Sequence, residues 1–184
     1  MNNPTCDRVI RDRLLEDLRS DKNNLKVINE LDINNSRADI AVIDKKYFCG
    51  YEIKSDVDSL KRLPMQIMIY NYIFDKITIV VGKSKLLKAI NTIPDYWGII
   101  LAKEGNSDIN LIQIRFPELN KNINKNWLSK KLWKSDIVGI LKAKNLYKGK
   151  SYYCRNSLLK ILMDNISLDE LRFYIRGILI KRVY

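Results

Sequence analysis

The chain contains no histidine, which removes the imidazole that triad hydrolases, Cys-His enzymes and His-based nucleases use to move protons. Any chemistry must rest on carboxylates, lysine and a bound metal. Cysteine is almost as scarce. Cys6, Cys49 and Cys154 are odd in number, far apart and without the paired spacing of a zinc site or disulfide framework, so they read as small apolar residues. No apolar run approaches the ~18 residues needed to cross a bilayer, and Met1 to Arg13 is polar and charged, unlike a signal peptide. The expected location is the cytoplasm, with no membrane partner.

What is present is enough apolar material, 46% of 184 residues, to bury one sizeable core. Formal net charge is +12, and it is unevenly spread: residues 1–109 hold 17 basic and 16 acidic side chains, whereas residues 110–184 hold 16 and 5. A compositional bias toward lysine would raise charge everywhere. The asymmetry instead suggests a footprint for a polyanion on the C-terminal segment, with a merely solvated basic face as the alternative.

Periodicity predicts an amphipathic helix over Cys6 to Leu18, where Val9, Ile10, Leu14, Leu15 and Leu18 share a face. Strands follow at Lys26 to Ile33, Arg37 to Ile43 and Tyr47 to Lys54. The connectors Asn34-Asn35-Ser36 and Asp44-Lys45-Lys46 are short enough to demand antiparallel neighbours, hence a three-strand meander. Leu60 to Phe74 is helical, with Pro64 in its first turn, and Lys76 to Val81 is a β-branched run fit for burial on both faces. Ser84 is expected to cap a short helix through Asn91. Trp97 to Ala102 and Asp108 to Ile114 form two more strands about a turn at Glu104-Gly105-Asn106, and helices run from Asn126 in about four pieces, broken near Ser135, Gly149 and Asn165. Ser167 and Glu170 form a capping box for the last helix.

Three charged residues interrupt strands otherwise suited to the interior, where charge is costly. Asp39 stands in Arg37-Ala38-Asp39-Ile40-Ala41, and Glu52 and Lys54 flank Ile53. Strand alternation puts Glu52 and Lys54 on one face, and a hairpin would bring Asp39 to them. Two converging carboxylates repel unless a cation or proton lies between them, which suits Mg²⁺ or Mn²⁺ and the hydrolysis of phosphodiesters. A buried ion pair between Lys54 and one of the acids is the alternative.

Asp39 followed by Glu52-Ile53-Lys54 resembles the signature of the PD-(D/E)XK nuclease superfamily. Within it the chain is similar to a group of small bacterial and phage proteins through Arg37-Ala38-Asp39-Ile40-Ala41, Glu52-Ile53-Lys54-Ser55-Asp56, Arg62-Leu63-Pro64, Gln66, Tyr70, Leu132-Trp133 and the helix Leu171-Arg172 to Lys181-Arg182. The resemblance implies that Asp39 and Glu52 ligate a metal, that the carbonyl of Ile53 completes the site, that Lys54 positions the attacking water and that Gln66 supports the site or touches phosphate. An additional acid is expected from Glu30, with Glu16 as the second choice. Alanine rather than proline precedes Asp39, a departure that leaves the ligand intact.

The fold expected is α/β: a restriction-endonuclease-like mixed β-sheet flanked by helices over residues 1–115, with a basic helical extension over residues 116–184 packed on it. The activity implied is that of a Mg²⁺- or Mn²⁺-dependent nuclease acting on nucleic acid, DNA before RNA. Contacts to the strand are expected from Arg37, Lys130, Lys131 and Lys134. Asp56 and Asp58 are expected to cap the following helix, and Trp97, Trp127 and Trp133 to lie in the core rather than to stack on bases. The rival class is a non-cleaving nucleic-acid- or protein-binding module on a nuclease fold, such as a phage counter-defence factor. A homodimer and a protein partner stay open.

Overall fold

The computed structural model describes residues 6–33, 36–105 and 108–184; Asn34, Asn35 and Asn106 of the two expected connectors lie outside them. The chain divides into two compact units, Met1–Asn124 and Lys125–Tyr184. The division falls after Asn124 rather than near residue 115, because the intervening segment is bonded to the first unit. Backbone N–H groups of Glu118, Asn120 and Asn124 donate to the carbonyls of Tyr96, Asp75 and Tyr72.

In the first unit, helix α1 (Asp7–Ser20) precedes strands β1 (Asn24–Asp32), β2 (Arg37–Asp44) and β3 (Phe48–Lys54); then come α2 (Leu63–Asn71), β4 (Lys76–Gly82), a 3-10 turn at Lys83–Lys85, α3 (Leu86–Ile90), β5 (Gly98–Glu104) and β6 (Ile109–Arg115). The six strands form one sheet in sequence order. β1, β2 and β3 are the antiparallel meander that the short connectors require, and the Asp44 carboxylate closes the second connector by accepting the N–H groups of Lys46 and Tyr47 at 2.6 Å. The helical connections make β3, β4 and β5 parallel, and β6 returns antiparallel. β4 is buried on both faces, as its unbroken apolar run predicts.

One face of the sheet packs Ile40, Val42, Ile53 and Val80 against Ile10, Leu14 and Leu15 of α1. The α2 side is built from rings: Tyr70 and Phe74 have centroids 5.1 Å apart, Phe48 and Phe74 4.7 Å, Tyr70 and Trp97 5.8 Å. Trp97 is fully buried, and its indole N–H donates to Asn71 Oδ1 at 2.8 Å. α2 starts at Leu63, three residues later than its periodicity suggests, with Pro64 in the first turn.

Two capping expectations are corrected. Asp56 accepts the N–H of Ser84 at 2.8 Å, and Asp58 accepts the N–H and hydroxyl of Ser55 at 2.8 and 2.6 Å, so both carboxylates fold the loop after β3 instead of capping α2. Ser84 likewise caps no helix; its residue belongs to the 3-10 turn. Cys49 packs against the α1 core, whereas Cys6 and Cys154 are exposed.

The second unit contains α4 (Lys125–Ser129), α5 (Lys134–Ala143), α6 (Arg155–Asp164) and α7 (Leu168–Lys181). The capping box is present: Glu170 N–H donates to Ser167 Oγ at 3.1 Å and Ser167 N–H to Glu170 Oε2 at 2.8 Å. Among the described residues no helix is long and apolar enough to cross a membrane.

A Cβ on Gly50 would lie 2.5 Å from the Phe74 ring, whereas one on Gly139 of α5 would meet nothing within 4 Å. Gly50→Ala should therefore destabilise the protein by about 1–3 kcal/mol through overpacking. Gly139→Ala should stabilise it by about 0.5–1 kcal/mol through helix propensity. Urea unfolding of the two variants checks this; equal effects would contradict the packing of β3 on α2.

Candidate functional site

Asp39 and Glu52 meet because of register. β2 and β3 pair from Ile43↔Phe48 up to Ile40↔Tyr51, so the next step sets Asp39 opposite Glu52, with side chains on the same face. There the ladder ends. The N–H of Ile53 donates to Asp39 Oδ2 at 2.8 Å, so a side chain takes over where backbone pairing stops. Lys54, two residues beyond Glu52, shares that face, and its ammonium lies 2.5 Å from Glu52 Oε1.

Helix α2 supplies the remaining partners of Glu52. Gln66 Nε2 donates to Oε1 and the Tyr70 hydroxyl to Oε2, both at 2.5 Å. Their spacing of four residues stacks them on one helix face. The Tyr70 hydroxyl oxygen also accepts the N–H of Asp39 at 3.3 Å, linking both acids through one phenol. Glu52 is 1% exposed. Burial first, and the Asp39 charge second, push its carboxyl up to about 6, against the pull of Lys54 and Tyr70.

Asp39, Glu52, Lys54 and Gln66 line a cavity of about 440 Å³ at the carboxyl end of β3, together with Asp7, Arg37, Ile53, Asp58, Lys61 and Arg62. α1 contributes Asp7 to that lining, and its Arg11 guanidinium donates to Asp39 Oδ1 at 2.8 Å, to the Asp39 carbonyl at 3.0 Å and to Asp7 Oδ1 at 3.0 Å. The Asp7 carboxyl is raised from its ordinary value, chiefly by burial, with Asp39 and Asp58 adding like charge against Arg11.

The family model described as Bacteriophage P4 protein cII matches residues 2–184, which include both units. The chain belongs to this family. It is similar to protein cII of Enterobacteria phage P4, with 27% identity over 151 residues, covering 81% of this chain and 56% of that protein. The chain thus spans about half the length of the curated relative it matches. Membership in a phage family agrees with the phage character expected from the sequence.

Within this member of the P4 cII family, the structure brings together Asp39, Glu52, Ile53, Lys54 and Gln66. Glu30 is a correction. Its backbone is left-handed, with φ of 56°, and its carboxylate pairs with Arg37 at 3.2 Å outside the cavity lining. Glu16 is exposed and lies 3.7 Å from Arg13. The earlier acid at the cavity is Asp7, and no strand pattern could have found it. Its Asp7–Arg11 spacing reads as an ordinary i,i+4 helix pair. Arg37 lines the rim, while Lys130, Lys131 and Lys134 belong to the second unit.

Among the described residues, no three acidic, cysteine or histidine side chains converge closely enough to hold an ion by themselves. The donor set nevertheless suits a hard cation that keeps much of its water. A carboxylate oxygen has two lone pairs: Glu52 Oε1 is saturated by its two donors, but Glu52 Oε2 and each Asp39 oxygen hold one hydrogen bond apiece. The Oε1 of Gln66 is buried with no hydrogen-bond partner, an orphaned acceptor of the kind a cation or its water satisfies.

Glu52 also gives a signed dependence on pH. Its folded value lies above the ordinary 4.5, so its contribution is most favourable below pH 4.5 and declines as pH rises through about 6. At 1.36 kcal/mol per pH unit the difference is about 2 kcal/mol. Glu52→Gln cannot ionise, so without divalent cations its stability relative to wild type should improve by about that amount from pH 4.5 to 7. Denaturant unfolding across this range checks the slope; a constant difference would show that the carboxylate is not strained by burial.

Proposed function

We propose that the protein is a metal-dependent nuclease that hydrolyses phosphodiester bonds, DNA before RNA, in the manner of the PD-(D/E)XK superfamily. The observation that carries this reading is the opposition of Asp39 and Glu52 on one sheet face, with Lys54 beside them, at a cavity rimmed by Arg37, Lys61 and Arg62. A fold needs no such trio for stability, since buried charge is costly to desolvate.

Asp39 and Glu52 are the residues that would hold Mg²⁺ or Mn²⁺, with Gln66 Oε1 and Ile53 at the same cavity. A bound divalent cation supplies Lewis-acid charge for the phosphate and lowers the pKa of water. The chain's own groups do the rest. Lys54, 5% exposed, holds a positive charge next to Glu52, where it can orient the attacking water and offset charge gathering on the phosphoryl oxygens. Tyr70 and Gln66 fix the Glu52 carboxylate, and Arg11 with the Ile53 N–H fixes that of Asp39, so neither acid must reorganise during reaction. Arg37, Lys61 and Arg62 draw the polyanionic backbone to the mouth and set its register.

Cleavage of labelled single- and double-stranded DNA and RNA with Mg²⁺, Mn²⁺ or EDTA tests the proposal. Metal-dependent cutting is expected, abolished by EDTA and reduced at least about 100-fold in Asp39→Ala and Lys54→Ala. Polynucleotide binding without cutting across the panel would overturn the nuclease reading in favour of a binding module.

A further inference from the structure

The second unit carries 14 Lys and Arg against four Asp and Glu over residues 125–184. Three of its acids are already met within the unit: Asp136 by Arg182 at 2.6 Å, Asp169 by Arg172 at 3.1 Å and Glu170 by Lys144 at 2.6 Å. The excess is cationic. Charge alone would serve any polyanion, but this surface also presents large rings to solvent. Trp133 is 59% exposed and Tyr152 81% exposed, against the expectation that tryptophans here are core residues.

Trp133 is held like a platform. The Arg182 guanidinium lies over its ring, 4.0 Å from the centroid, and is itself fixed by Asp136 and by the carbonyl of Lys131 at 3.2 Å. Asp136 also accepts the N–H of Trp133 at 2.7 Å. Backing one face with a pinned cation immobilises the indole while much of it stays in water, an arrangement that favours stacking of a further planar group. The segment that carries the second ring, Tyr152, is tied to the same region by a hydrogen bond. Arg155, in the first turn of α6, donates to the carbonyl of Leu132 at 2.9 Å, tying the loop that bears Tyr152 to the residue before Trp133. Lys130 and Lys134, three residues before and one after Trp133 in the sequence, are both exposed.

We infer that the Trp133 and Tyr152 surface of the second unit binds single-stranded nucleic acid by stacking unpaired bases between lysine contacts to phosphate. Unpaired bases offer π-faces to such rings, whereas a duplex hides them and presents mainly its backbone. This assigns a substrate class to the proposed nuclease and rests on that reading for its purpose. Binding itself needs neither the acids nor a metal.

The test is fluorescence anisotropy on the full chain in EDTA, with a labelled oligothymidylate of about 15 nucleotides, the oligouridylate, a duplex of the same length and heparin as a polyanion without bases. Trp133→Ala and Tyr152→Ala should each bind the single strands about tenfold more weakly, with heparin affinity unchanged and Trp133→Phe close to wild type. Either sugar supports the inference, and a preference names the strand. Tyr152, in an exposed loop, keeps the test open if Trp133→Ala fails to fold. Wild-type affinity in both alanine variants, or an equal loss toward heparin, would overturn it. Ring-dependent binding by the wild-type chain in EDTA, with no cutting when Mg²⁺ or Mn²⁺ is added, would keep this surface while overturning the catalytic reading, so the two failures are distinguishable.

Discussion

Two carboxylates that cannot comfortably coexist organise the first unit. Asp39 and Glu52 are set against each other by the β2–β3 register, in a place where Glu52 has almost no water. Each is restrained by its own set of donors: Arg11 and the Ile53 N–H for one, Lys54, Gln66 and Tyr70 for the other. These donors come from β3 and from the helices on opposite faces of the sheet, so docking of both helices converges on this pair. Tyr70 joins the two levels. Its ring is packed between Phe74 and Trp97 and its hydroxyl reaches Glu52, so core packing determines where the acid sits.

The arrangement leaves repulsion unbalanced in a specific way. Lys54 and Arg11 offset the charge, yet the Glu52 carboxyl remains pushed up, and Gln66 keeps a buried oxygen without a partner. A buried polar site with unused acceptors and a raised carboxyl is poised to gain from a hard cation, because the ion satisfies the acceptors and favours the ionised acids together. Structural ion pairs seldom carry such a deficit, since every member of a stable buried network tends to be hydrogen-bonded.

Much of this was legible because strands obey strict rules. Alternation put Glu52 and Lys54 on one face, and the short Asp44-Lys45-Lys46 connector required the hairpin that brings Asp39 opposite. The long apolar run of β4 likewise declared its burial. Gln66 and Tyr70 carried no such signal by themselves and entered through resemblance. What escaped was set by long-range docking or by local backbone. Asp7 and Arg11 look like a solvent-facing helix pair until α1 packs at the open end of the ladder. Glu30 satisfies the alternation rule, but a left-handed backbone pairs it with Arg37 instead. Trp133 looked apolar and buried because sequence shows composition, not which ring a neighbouring guanidinium will hold at the surface.

The central claim is that Asp39 and Glu52 form one site for a hard divalent cation, and titration of Mn²⁺ followed by electron paramagnetic resonance tests it most directly. One Mn²⁺ per chain is expected to bind at neutral pH, with affinity falling as the Glu52 carboxylate protonates below about pH 6 and lost in Asp39→Asn. Undiminished Mn²⁺ binding by Asp39→Asn, or none by the wild-type protein, would contradict the account.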